Sequence, residues 1–282
     1  MSLLSERKQA VLLVVASAIL WSFGGILIKY VNWHPLGIAG MRSTIALLFL
    51  LLVSRKPKWT WSVAQIGGGI AYAATMILFV VATKLTTAAN AILLQYTAPI
   101  YVALFSNWFL DEKITWLDWL IIFLVMVGMS LFFLDKLTTS GFWGNILAII
   151  TGITLAWLFL FLRKQRNDSP MESLILGNIL AALVGLPFMF TSIPDGASWL
   201  GLVLLGIFQL GLPYFLFSIA IKHVTAIESI LIPTIEPLLN PIWVLLLMGE
   251  KPGVWAIAGG SIVLLSVTAR GVVTTLHKNS PE

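Results

Sequence analysis

Charged residues are so sparse along this chain that they divide it into long apolar blocks. Windows with no Asp, Glu, Lys or Arg run from Leu12 to Ile28, Trp59 to Thr83, Leu85 to Leu110, Leu137 to Leu162, Ser173 to Pro194, Gly196 to Ile221 and Pro252 to Ala269. A helix crosses the hydrocarbon core with about 20 mostly apolar residues, so each window predicts one crossing. Ser43 to Ser54, Trp119 to Leu134 and Thr225 to Met248 qualify once a flanking or embedded charge is allowed. The pattern predicts an all-α polytopic membrane protein with ten transmembrane helices, near 10–30, 35–54, 61–83, 87–110, 115–134, 141–163, 171–191, 198–221, 225–248 and 252–275. The connections are short and leave no room for a soluble domain. The first span is long and lacks a small-residue cleavage site, so it is read as retained.

One segment is written twice. Lys84 to Lys113 and Lys222 to Lys251 align without a gap at an offset of 138, with eight identities: Lys84/Lys222, Thr87/Thr225, Ala88/Ala226, Ile92/Ile230, Leu93/Leu231, Pro99/Pro237, Glu112/Glu250 and Lys113/Lys251. Matched Leu means little in an apolar chain, but matched Lys, Thr, Pro and Glu-Lys mean more. The copies fall in spans four and nine. Five crossings separate them, so they run in opposite directions. The expected organisation is a 5+5 inverted-topology repeat: an N-terminal five-helix half over 1–136 and an inverted C-terminal half over 137–282, as in alternating-access carriers. Weaker echoes pair Trp21 with Trp157 in spans one and six. In spans three and eight they pair Met76 with Tyr214 and Phe79 with Phe217.

Composition supports the bilayer reading: 59% of the residues are hydrophobic, 10% are charged, and the mean hydropathy is +0.97. Charge placement adds an orientation. With the N-terminus in the cytoplasm, the inner segments collect Arg7, Lys8, Arg55, Lys56, Lys58, Lys113, Arg163, Lys164, Arg166, Lys222, Arg270 and Lys278, against Lys29, Lys84, Lys136 and Lys251 outside. That bias predicts cytoplasmic N- and C-termini. The net charge of +5 then reflects topology, and no nucleic-acid partner is needed to explain it. The chain has no Cys, which excludes disulfides and thiol chemistry. Its three His are scattered and it has no nucleotide-binding loop. No catalytic residue, metal or cofactor is expected, and a membrane-embedded lipid-acting enzyme is the least favoured class.

Polar residues inside spans carry the candidate chemistry, because apolar packing between helices gains little over packing against lipid. Glu236 lies mid-span and is either protonated, paired or facing water. It reads as a substrate-ammonium or proton site, or as a structural bridge between helices. Glu228 and its repeat counterpart Asn90 suit two alternating gates or two helix caps. Asn90, Thr97 and Tyr101 form one helical stripe, with Gln95 and Tyr96 beside it. Tyr72, Met76 and Phe79, with Gln209, Tyr214 and Phe217 at the equivalent level, offer an adaptable aromatic wall that Trp21 and Trp157 could close, or they fill the bundle. Pro99, Pro213, Pro233, Pro237 and Pro241 are candidate kinks or hinges, and the Gly67 to Gly69 run suits close packing or hinging. Lys29, Lys84 and Lys222 sit at span ends, where snorkelling accounts for them. Arg42 is deeper, with a helix C-terminus, lipid phosphate or substrate as its partner.

The phrases Gln95-Tyr-Thr-Ala-Pro99 leading to Phe109-Leu-Asp-Glu-Lys113, and Ile235-Glu-Pro237 leading to Leu247-Met-Gly-Glu-Lys251, resemble the paired signature of the EamA branch of the drug/metabolite transporter superfamily. Arg42 fits that family's pattern, whereas Asp111 stands where the family usually has Gly. The chain looks most like bacterial inner-membrane exporters of amino acids, including aromatic ones, and of paraquat-like compounds. The resemblance implies a secondary transporter in the cytoplasmic membrane. Its partners would be a small-molecule substrate and membrane lipid, with monomer and dimer both open. The alternative within the superfamily is a phosphate-bearing metabolite exchanger, which would call for Lys or Arg deep in the cavity.

Overall fold

The computed structural model describes residues 3–54, 57–134, 140–239 and 253–279. Every element among them is helical. Pro241, the Glu250-Lys251 pair and the boundary between the two expected halves lie outside the described residues. Among the described residues, eight helical segments are long and apolar enough to cross a membrane, and Trp116–Phe132 is a shorter apolar helix. The span expected at 225–248 is described through residue 239.

Chain order runs α1 (Leu3–Trp21), α2 (Gly24–Tyr30), α3 (Pro35–Ser54), α4 (Val63–Leu85), α5 (Ala88–Gln95), α6 (Ala98–Leu110) and α7 (Trp116–Phe132). It continues with α8 (Phe142–Lys164), α9 (Met171–Met189), α10 (Gly196–Leu204), a π-helical segment (Leu205–Gly211), α11 (Leu212–Ala220), α12 (Ala226–Leu231), a 3-10 turn (Ile232–Ile235) and α13 (Val254–Asn279). Local chemistry sets the starts. Ser62 caps α4 by accepting from the Gln65 N–H, Asp195 caps α10 by accepting from Ser198, and Thr115 with Asp118 forms a reciprocal capping box on α7. The α6 helix ends on Asp111, whose φ of 57° is the left-handed conformation that usually selects glycine.

Packing is close where side chains are smallest. The α4 helix runs unbroken through Gly67 to Gly69, so those glycines do not bend it. A Cβ at Gly68 or Gly69 would come within 2.9 or 2.8 Å of α9 side chains, and one at Gly67 would overlap Phe161 of α8. The helices α3 and α9 meet through Gly40 and Gly185, and α7 and α13 through Gly128 and Gly259. Large apolar side chains such as Leu52, Leu104, Phe123, Val184 and Leu265 point outward, while Arg42, Gln65, Asn178 and Gln209 are buried. That is the distribution of a bundle solvated by lipid.

Four expected spans are interrupted. The first breaks at Ser22–Phe23 between α1 and α2, and the fourth at Tyr96–Thr97 between α5 and α6. The eighth winds through the π segment, and the ninth tightens into the 3-10 turn. Pro99 and Pro213 stand in the first turns of α6 and α11, where a missing N–H costs least, and Pro233 lies inside the 3-10 turn. Pro237 follows in the helical residues 236–239. The fourth and ninth interruptions coincide in register, because Tyr96 and Thr234 are 138 positions apart.

Contacts repeat at the same offset. Thr87 caps α5 by accepting from the Asn90 N–H, and Thr225 caps α12 by accepting from the Glu228 N–H. The Asn90 side chain donates to Asn145 of α8, and Glu228 accepts from Arg7 of α1. Lys84 donates to the Val31 carbonyl and Lys222 to that of Asp168, so both lysines bind backbone rather than simply reaching for the interface.

Candidate substrate cavity

All four interruptions converge on one internal cavity. It is lined by Trp21, Arg42, Thr75, Met76, Phe79, Gln95, Tyr96, Leu155, Phe159, Gln209, Tyr214, Ile230, Pro233 and Glu236, with a volume of about 40 Å³. That is room for a few waters and too little for an amino acid, so this conformation is closed around its centre. Interrupted helices belong here for a physical reason. Unpaired backbone groups are tolerated at membrane depth only against protein or a polar cavity.

The wall divides by chemistry. One side is aromatic: Trp21 packs against Tyr214 at 4.9 Å between ring centroids and against Phe217 at 5.4 Å, and Phe159 closes on Phe217 at 4.6 Å. Another side joins two interrupted spans. The Tyr96 hydroxyl lies 2.8 Å from the Pro233 carbonyl and 2.8 Å from Glu236 Oε2. The third side is cationic. Arg42 is fully buried; Nη1 donates to Gln209 Oε1 at 3.2 Å and Nη2 to the Met76 carbonyl at 2.9 Å. Gln209 reaches it from the π segment, lying over Gly24, where a Cβ would come within 2.8 Å of the amide nitrogen. Inserting a charged side chain at the centre of a bilayer costs about 2.5–3.5 kcal/mol on biological scales, so a guanidinium held by neutral acceptors alone calls for explanation.

Of the residues singled out in the sequence, Trp21, Met76, Phe79, Gln95, Tyr96, Gln209, Tyr214 and Glu236 line the cavity. Two stand one layer behind. Tyr72 donates to Asn178 and meets Tyr214 edge-on, and buried Phe217 backs Trp21. Asn90 lies at one end of the bundle in a cluster with Thr86 and Asn145. Glu228 lies at the end that carries the chain termini, paired with Arg7. The helix carrying the expected stripe of Asn90, Thr97 and Tyr101 breaks at Tyr96–Thr97, and none of the three lines the cavity. Thr97 instead bonds back to the Leu94 carbonyl. Trp157 is also elsewhere, stacked on Phe105 at 5.0 Å and packed against Phe109 and Phe161.

The two ends are closed differently. At the terminal end, Glu228 accepts from Arg7, and Arg270 bonds Asp118 at 2.8 Å with Glu228 3.6 Å away. Glu112 binds Arg163 at 2.7 Å and accepts from the Ala226 N–H, tying the α6–α7 turn to the start of α12. At the opposite end the contacts are amide and hydroxyl, with Lys29 donating to the Thr86 carbonyl.

A lipid-solvated bundle of interrupted helices closed around a small polar and aromatic cavity is a multi-pass membrane transporter. The EamA-like transporter family matches the chain twice, over residues 8–134 and 142–269, and the chain belongs to that family. An uncharacterized transporter of Archaeoglobus fulgidus is 25% identical over 255 residues, covering 90% of this chain and 93% of that protein. The uncharacterized transporter YdfC of Bacillus subtilis is 26% identical over 290 residues, covering 96% and 93%. A crystal structure described only as that of a protein superposes with a TM-score of 0.78 at 18% identity, covering 95% of this chain and 98% of the other, a likeness of fold.

Proposed function

We propose that the protein is a secondary transporter of the bacterial cytoplasmic membrane with cytoplasmic termini. It exports small amphipathic metabolites, amino acids including aromatic ones, by rocking two inverted five-helix halves around the central cavity. The observation that carries this reading is the meeting of Tyr96 with Pro233 and Glu236, where two interrupted helices related by the 138 offset touch at one closed site. The repeated family match and the offset-related contacts support the two-half mechanism. The Lys and Arg bias toward the terminal end supports the orientation. The aromatic wall suits an apolar side chain, and the polar groups suit an amino-acid backbone.

The test is uptake of radiolabelled amino acids into proteoliposomes, with and without an imposed pH gradient. Saturable, protein-dependent movement of aromatic amino acids is the expected result. If no amino acid moves in either condition, the substrate reading fails.

A further inference from the structure

The cavity wall contains two donors that nothing in the described chain satisfies. Arg42 Nε and Trp21 Nε1 are both buried and both lack a hydrogen-bond partner. The ion pairs among the described residues involve Arg7, Arg163, Arg166, Arg270 and His223, and not Arg42. The guanidinium's bonds go to an amide oxygen and a backbone carbonyl, which hold its orientation without neutralising its charge. Glu236, the carboxylate of the same wall, is engaged by Tyr96 instead. The site therefore presents a held cation and a separate carboxylate, with aromatic rings in the same wall.

We propose that Arg42, with the Trp21 indole N–H, binds the carboxylate of the transported solute, whose ammonium group faces Glu236. This rests on the transporter reading and sharpens its substrate class to carboxylate-bearing zwitterions with an apolar or aromatic side chain. The chemistry is specific in three ways. A guanidinium is permanently charged and offers paired donors in a plane, which match a carboxylate. A buried cation with no counter-ion gains much from an anion that enters and repels a second cation, so amines and dications are discriminated against. A single guanidinium in an otherwise aromatic wall suits a monoanion better than a phosphate dianion, which would call for further cations.

Ligand-induced thermal stabilisation and proteoliposome counterflow, measured on the full-length protein, test this with L-phenylalanine, two single-charge relatives, 3-phenylpropionate and phenethylamine, and phenyl phosphate as the dianion. The wild type should bind phenylalanine most tightly, 3-phenylpropionate more weakly and phenethylamine least. Arg42→Gln should weaken both carboxylates at least about tenfold while tightening phenethylamine by removing the repulsion, and Arg42→Lys should fall between for the carboxylates. Trp21→Phe keeps an aromatic ring but loses the N–H together with the pyrrole half of the indole, so it should weaken the carboxylates several-fold and affect phenethylamine, which has no carboxylate, less. It serves as the second probe if Arg42→Gln does not fold.

Equal binding of phenethylamine and phenylalanine by the wild type overturns the proposal. So does carboxylate binding that is absent or indifferent to both substitutions, and so does tighter binding of phenyl phosphate than of 3-phenylpropionate. If 3-phenylpropionate binds through Arg42 while no amino acid binds or moves, the carboxylate site stands and the amino-acid reading fails.

Discussion

Arg7 and Asn145 stand 138 positions apart, and each bonds the residue three places after a threonine helix cap: Arg7 to Glu228, Asn145 to Asn90. Equivalent positions thus close opposite ends of the bundle, one with an ion pair and the other with amides. A hydrogen bond to a charged group contributes about 1.5–3 kcal/mol. Glu228→Gln should therefore favour opening at the terminal end by roughly one to two orders of magnitude. The chain has no Cys, so a single Ile230→Cys in the cavity wall is an unambiguous reporter. Its reaction with a water-soluble maleimide should quicken at least about tenfold on adding Glu228→Gln. An unchanged rate would mean that the ion pair does not hold this end shut.

Gly152 tests the seat of the fourth-span interruption. A Cβ there would lie 2.7 Å from Thr97 Oγ1 and 2.9 Å from the Gln95 carbonyl. The backbone at the break cannot retreat without disturbing Tyr96. Gly152→Ala should cost about 1–3 kcal/mol, the range for overpacking, and should reduce transport. Gly196→Ala, where a Cβ meets nothing within 4 Å, is the control. Equal thermal stability of the two variants would disprove the close approach.

Asp111 holds the left-handed conformation at the end of α6, with φ of 57°. Asp111→Gly removes the Cβ strain at that position and should stabilise the protein by about 0.5–1 kcal/mol. Thermal unfolding in detergent should rise by about 1–4 °C. A lower midpoint would assign the aspartate side chain a compensating role.

Eight of the expected spans were legible because bilayer thickness dictates their length. The interruptions of spans four, eight and nine were signalled by Pro99, Pro213 and Pro233, whereas the break in span one has only Gly24 and Gly25 as a cue. Residue identity misled in span six. Trp157 matches Trp21 by type at an offset of 136, but the offset fixed by spans four and nine pairs Trp21 with Phe159, and Phe159 lines the cavity. Arg42 was legible as a deep charge, but its lack of a counter-ion among the described residues needs coordinates, because a partner can come from any helix. Accordingly, Trp157→Phe should leave the order of substrate preference unchanged. Phe159→Leu should shift preference among aromatic amino acids by up to about tenfold, the worth of a small change in an apolar pocket. The opposite pattern in competition assays would place Trp157 in the path.

Tyr96 and Glu236 carry a proton count. A phenol has one hydrogen, and the Tyr96 oxygen lies 2.8 Å from both the Pro233 carbonyl and Glu236 Oε2. With Glu236 ionised, both neighbours are acceptors competing for that hydrogen. With Glu236 protonated, the acid donates to the phenol and the phenol to Pro233, joining all three oxygens. The charged and titratable groups sharing this wall are Arg42, Tyr96 and Tyr214. Opening would let a substrate ammonium replace the acid proton, so export would be favoured by an inward proton gradient. An amide can make the same donation, so Glu236→Gln should preserve the closed geometry and thermal stability while abolishing the response of transport to pH. Tyr96→Phe, which leaves buried oxygens unpaired, should instead destabilise by about 1–3 kcal/mol. Proteoliposome flux measured between pH 5.5 and 8 decides it: an unaltered pH profile in Glu236→Gln would remove the carboxyl from any role in coupling.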